Sequence, residues 1–221
     1  MTLVRLCLCV ATLFILGCAS GSGVPGPETR EALDVKRVAV LPFQKVTQGR
    51  ERATSVRCPL CGAMSRGGPV EKGAEAYMTT ALMAWITENT PYTLIPLGTA
   101  QGVRAEILSE EPGMPERRLL VETGKKLQAG GVMSGTIHRF QQRVGTSFSV
   151  ETPASVAFGV HFVSVADGRL VWFRHFDETQ ESLSENILRL SAFVRRGGRW
   201  LTAEELASFG LHETMATLPL Q

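Results

Sequence analysis

VAVLPF, residues 38–43, is an unbroken run of apolar side chains, β-branched at Val38 and Val40 and aromatic at Phe43. A strand with one wet face alternates apolar and polar residues, so a short continuous run predicts a strand covered on both faces. Such a strand needs a layer on each side of its sheet. Helices downstream supply the layers: in KGAEAYMTTALMAWITE, residues 72–88, Ala74, Tyr77, Met78, Ala81, Leu82, Trp85 and Ile86 recur at helical spacing and make one apolar face.

Further along, YTLIPL (92–97) reads as a second strand, followed by helical stretches at 99–109 and 115–128, the latter with Pro115 suited to a first helical turn. VMSGTIHRF (132–140) reads as a strand, and residues 155–165 and 170–176 as two more, joined through Asp167-Gly168. Asp-Gly between two such runs predicts a tight hairpin of type I′, which needs positive φ at both central residues. Capping boxes are expected at Ser182 with Glu185 and at Thr202 with Glu205, each opening a helix. The order of elements implies an α/β domain, a mixed β-sheet packed by helices. Its expected extent is 36–221, with a cysteine-bearing insert at 44–71.

Upstream of the domain the chain changes character. A short basic start ending at Arg5 leads into LCLCVATLFIL, residues 6–16, about half of the roughly 20 apolar residues that a helix needs to cross a bilayer. This is the pattern of an export signal. Ile15-Leu16-Gly17-Cys18 follows at once and resembles the lipobox of bacterial lipoproteins, which implies cleavage of 1–17 and lipidation of Cys18. Ala19 after the cysteine implies, by the same resemblance, the outer membrane, facing the periplasm. Residues 18–35 then form the anchor and a Gly-, Ser- and Pro-rich tether.

Three stretches, RVAVLPF (37–43), GGVMSGTIHRF (130–140) and VHFVSVADGRLVW (160–172), together resemble a set of envelope lipoproteins: the curli-secretion lipoprotein, the penicillin-binding-protein activator lipoproteins and the amino-terminal domain of TolB. The resemblance implies a TolB amino-terminal-domain-like fold. It also implies a non-catalytic binding and assembly module that engages the membrane through its anchor and binds an envelope protein or copies of itself. The insert with Cys58-Pro-Leu-Cys61-Gly lies outside that general pattern. It is shared with other envelope lipoproteins that also carry a GGRWLTAEEL-type ending, here residues 197–206.

Of five cysteines, Cys7 and Cys9 leave with the signal and Cys18 takes lipid, so the mature domain keeps Cys58 and Cys61. Three readings stay open for this pair. One is a disulfide, in keeping with an oxidising compartment. Another is half of a zinc site, the glycine allowing the turn that turns two thiolates toward one metal. The last is a redox function. Zinc needs further ligands, and His138, His161, His175 and His212 are scattered, with His138 and His161 expected inside strands. Haem attachment is excluded, because Gly62 stands where that motif requires histidine.

The chain has no Gly-x-Ser-x-Gly elbow, phosphate loop, His-Glu-x-x-His or dinucleotide fingerprint, so an enzyme is not expected. The formal charge of +2 is too small to point to nucleic acid. A surface for partners is expected instead around Arg195, Arg196, Arg199 and Trp200, which mix basic and aromatic side chains in a glycine-flexed loop.

Overall fold

The structure, a computed structural model, describes residues 35–46, 55–147, 149–180 and 199–219. β1 (Arg37–Val40) is the pivot of the sheet, hydrogen-bonded in parallel to β5 (Thr93–Leu94) on one side and to β6 (Gly131–Gln141) on the other. Its side chains divide as period two demands: Val38 and Val40 join one apolar cluster, Ala39 and Leu41 the other. All four are buried, so the doubly covered strand expected from VAVLPF is present.

Beyond β6 the sheet turns antiparallel with β9 (Ser155–Ser164) and β10 (Leu170–Thr179), giving the order β10-β9-β6-β1-β5. β2 (Gln44–Lys45) rejoins β6 in parallel after a short excursion at Pro42 and Phe43, so the insert begins as part of the sheet. A small separate hairpin pairs β7 (Val144–Gly145) with β8 (Val150–Thr152).

Four helices among the described residues form the outer layers. α1 (Ala74–Asn89) and α4 (Ala203–Met215) cover one face, where Met78, Leu82 and Ile86 of α1 meet Met133, Phe158 and Phe162 of the strands. Each of those three α1 side chains is fully buried, a burial that stabilises by roughly 1.5–3 kcal/mol per residue. α2 (Leu97–Glu110) and α3 (Glu116–Lys126) lie on the opposite face with Ala39, Leu41, Val132, Val163 and Val165. No helix among the described residues is long and apolar enough to cross a membrane.

Three local expectations differ from the structure. The second strand is only Thr93–Leu94, because Pro96 removes a ladder donor and becomes the N-cap of α2. Pro115 likewise sits at the N-cap of α3, with extended backbone, just outside the first helical turn. The β9–β10 connection is a longer loop: Gly168 alone has positive φ there, and Ser164 donates to the Arg169 carbonyl at 2.9 Å. Asp167 instead accepts from the Arg169 amide at 3.1 Å, a side-chain turn that competes with type I′ geometry. The capping box at Thr202 and Glu205 is present in full, whereas Ser182 and Glu185 lie outside the described residues.

Candidate metal centre

The cysteine segment is a knuckle between β3 (Val56–Arg57) and β4 (Met64–Ser65), two short antiparallel strands. The Cys58 amide donates to the Ala63 carbonyl at 2.8 Å, and the Gly62 amide donates back to the Cys58 carbonyl at 3.0 Å. Closing that turn takes Gly62 to φ 75°, a left-handed conformation that a side chain would strain. The folded-back chain turns both sulfurs the same way. The Cys61 amide hydrogen-bonds the Cys58 sulfur, and the Ala63 amide the Cys61 sulfur.

The knuckle packs on the sheet face that also carries α2 and α3, where Cys58 and Leu60 join Leu120 and Val163. There β9 presents Gly159 and His161, and β10 presents Phe173 and His175. The antiparallel register sets His161 opposite Phe173, and His175 opposite Gly159. His161 and His175 therefore stand diagonally across the ladder, within reach of a common centre. Their rings lie 5.7 Å apart, centroid to centroid. Gly159 makes room for both, since a Cβ there would stand 2.8 Å from the His175 ring and 3.1 Å from that of His161.

The result joins residues from distant parts of the chain. Cys58 Sγ is 3.1 Å from His161 Nε2, Cys61 Sγ is 3.1 Å from His175 Nε2, and His161 Nε2 is 3.4 Å from Cys61 Sγ. The ligand atoms of Cys58, Cys61 and His161 all lie within 4.8 Å of one another, and His175 Nε2 meets Cys61 Sγ from just outside that group. Cys58 is 2% exposed and His161 not at all.

These groups shift one another's protonation. The hydrogen bond from Cys61, helped by His161 and opposed by burial, pulls the Cys58 thiol down to about 3. Its partner Cys61 is raised by that same bond and by burial. Burial and the neighbouring His161 lower His175. His138, one strand further and 6.3 Å from the His175 ring, is pushed down by burial to about 4. Its Nε2 lies 3.3 Å from Thr136 Oγ1. Both thiols are free, and such a group of donors can hold a soft or borderline divalent cation or close a disulfide.

A second polar contact holds the insert independently. Arg139, nearly buried on β6, donates to Ser155 Oγ at 2.6 Å, to the Arg66 carbonyl at 3.0 Å and to Asp177 Oδ1 at 2.7 Å. The Arg66 amide in turn donates to Asp177 Oδ2 at 3.3 Å. The end of the insert then runs beside β6, with Gly68 donating to the His138 carbonyl and Val70 bridged to Phe140.

No protein-family model and no curated protein matches the chain. Solved structures similar to it include the PelC dodecamer from Paraburkholderia phytofirmans, at 10% identity and TM-score 0.46, covering 84% of this chain and 89% of that one. They also include the LpoB C-terminal domain from Salmonella enterica (13% identity, TM-score 0.40, 66% and 83% covered). A third is lipoprotein GNA1162 from Neisseria meningitidis (13%, 0.42, 73% and 96%). Of these, GNA1162 is described as a lipoprotein, the class that the sequence resembles. At TM-scores below 0.5 the likenesses carry none of the functional argument, which rests on the chain's own residues.

Arg199 and Trp200 lie just ahead of α4 and are both partly exposed. Arg199 pairs with Glu205 at 2.6 Å, and Glu205 closes the capping box by accepting the Thr202 amide at 2.9 Å. Trp200 is half-buried, its amide bonded to the Ser147 carbonyl and its carbonyl to Arg143. Arg195 and Arg196 lie outside the described residues, as does Cys18. Pairing of His161 and His175 with the cysteines was invisible in the sequence. The signal that would have found them is their position on the same face of neighbouring hairpin arms.

Proposed function

We propose that this chain is a lipid-anchored, non-catalytic module of the bacterial cell envelope that works by binding another envelope protein. The observation that carries the reading is Ile15-Leu16-Gly17-Cys18 at the end of an apolar run too short to span a bilayer. Acylation of Cys18 holds the protein at the membrane, since each buried methylene contributes about 0.8 kcal/mol and more than one chain makes the anchoring stable. Ala19 favours the outer membrane, and the tether lets the domain stand off the lipid surface on its periplasmic side. A binding role also fits the use of the charged side chains described above, Arg139, Asp177, Arg199 and Glu205, which are engaged in holding the fold together.

Metabolic labelling with a radioactive fatty acid tests the anchor. The wild-type chain should carry label and sediment with the membranes, while Cys18→Ser should lose the label and appear in soluble periplasm. An unlabelled wild-type chain would refute the anchor. Crosslinking in intact cells, with attached proteins identified by mass spectrometry, tests the binding role. A recurrent heterologous envelope protein supports it, and a ladder of self-crosslinks alone would replace it by self-assembly.

A further inference from the structure

We propose that Cys58, Cys61, His161 and His175 are the four ligands of one structural zinc ion that fastens the insert onto the β9–β10 hairpin. The donor set is two thiolates and two imidazole nitrogens, a combination that zinc takes in closed tetrahedral sites. With zinc–sulfur bonds of about 2.3 Å and zinc–nitrogen bonds of about 2.0 Å, a tetrahedral angle sets each sulfur–nitrogen edge at about 3.5 Å. The three edges at 3.1, 3.1 and 3.4 Å lie within a few tenths of an ångström of that value. Three of the ligands already surround one point, and His175, in contact with Cys61 Sγ, joins them by turning its side chain inward.

The knuckle is built for thiolate. Backbone amides of Cys61 and Ala63 point at the two sulfurs and offset the negative charge that a metal-binding cysteine carries. Charge balance agrees. Binding releases the thiol protons, and two thiolates with Zn²⁺ and two neutral imidazoles make a centre of zero net charge, suited to burial.

The competing disulfide leaves a defect. If the two thiols gave up two protons and two electrons to a thiol–disulfide oxidant, the S–S bond would form and both imidazole Nε2 atoms would lose their thiol partners. The Nδ1 atoms of His161 and His175 are already buried without a partner, so oxidation would strip these rings of their remaining polar contacts. An unmet buried polar group destabilises the fold that contains it. Zinc satisfies both sulfurs and both Nε2 atoms at once.

All four ligands come from protein, which leaves no open position for a reacting water and assigns the ion to structure. Its position says what it holds. Two ligands stand on the knuckle and two on the adjoining arms of a hairpin roughly a hundred residues later, so the ion crosslinks the insert to the antiparallel half of the sheet.

The test uses the full chain, made with its own export signal and purified from membranes in mild detergent. Metal content is measured by mass spectrometry, and the X-ray absorption spectrum of the wild-type zinc protein reads its ligands without depending on any variant. One zinc per chain with a shell of two sulfurs and two nitrogens is the expected result. Cys58→Ser with Cys61→Ser should abolish zinc retention, and His161→Ala with His175→Ala should weaken it at least tenfold. A shell lacking sulfur, a shell with fewer than two histidine nitrogens, or a protein that takes up no zinc after reduction and reconstitution overturns the proposal.

Discussion

Gly159→Ala offers a test by sign. In an ordinary strand, replacing glycine by alanine stabilises a protein by about 0.5–1 kcal/mol, because the unfolded chain loses freedom and the strand gains a side chain. At Gly159 the new Cβ would stand 2.8 Å from Cε1 and Nδ1 of His175 and 3.1 Å from Cε1 of His161. Carbon atoms pack at about 3.5–4.0 Å, so the rings must retreat by roughly 0.7 Å. His161 is fully buried and has no slack. Overpacking of this kind costs about 1–3 kcal/mol, which outweighs the entropic gain and leaves a net loss of about 1–2 kcal/mol. The assay is urea denaturation in the presence of a strong chelator, so that metal contributes nothing. With a slope of about 2 kcal/mol per molar, the midpoint should fall by roughly 0.5–1 M. Gly102→Ala is the control: it lies exposed on α2 with nothing within 4 Å of its added Cβ, and its midpoint should rise. If Gly159→Ala raises the midpoint as Gly102→Ala does, the imidazoles do not converge over Gly159 and the geometry of the centre is wrong.

Arg139→Met keeps most of the side chain's bulk and removes its donors to Ser155, Arg66 and Asp177. A loss of about 2–4 kcal/mol is expected, together with faster proteolysis within residues 55–70; a loss below about 1 kcal/mol would show that the clamp does not hold the insert. Glu205 should make stability depend on acid. The hydrogen bond from Arg199, followed by that from the Thr202 amide, holds its carboxyl below the ordinary 4.5. A carboxylate depressed in the folded state adds stability that is complete above its unfolded value and is lost as pH falls through the folded one. The difference in urea midpoint between wild type and Glu205→Gln should therefore shrink below pH 4.5, and a difference constant with pH would rule this linkage out.

Features governed by neighbours a few residues away were legible in the sequence. VAVLPF announced a doubly covered strand, the spacing from Ala74 to Ile86 announced α1, and Thr202 with Glu205 announced the start of α4. Each follows from a repeat of 2 or 3.6 residues or from a cap that closes within one turn. Asp167-Gly168 was misleading for a local reason as well, since the aspartate side chain had a second way to use its hydrogen-bonding capacity.

The centre depends on relations that no local pattern encodes. Alternation could assign His161 and His175 to a sheet face, but only the register of β9 against β10 sets His175 opposite Gly159 and brings the two rings together. A shift of one residue would put the two rings on opposite faces of the sheet. Cys58 and Cys61 announced a turn with paired sulfurs, while the packing of the insert against the sheet decided what those sulfurs meet. The sequence by itself determined the doubly covered strand β1, the helix α1, the capping box that opens α4 and the turn of the thiol knuckle, all written in short-range spacing. Tertiary structure alone decided that two thiols meet two imidazoles, because contacts between residues a hundred positions apart are set by strand pairing and layer packing.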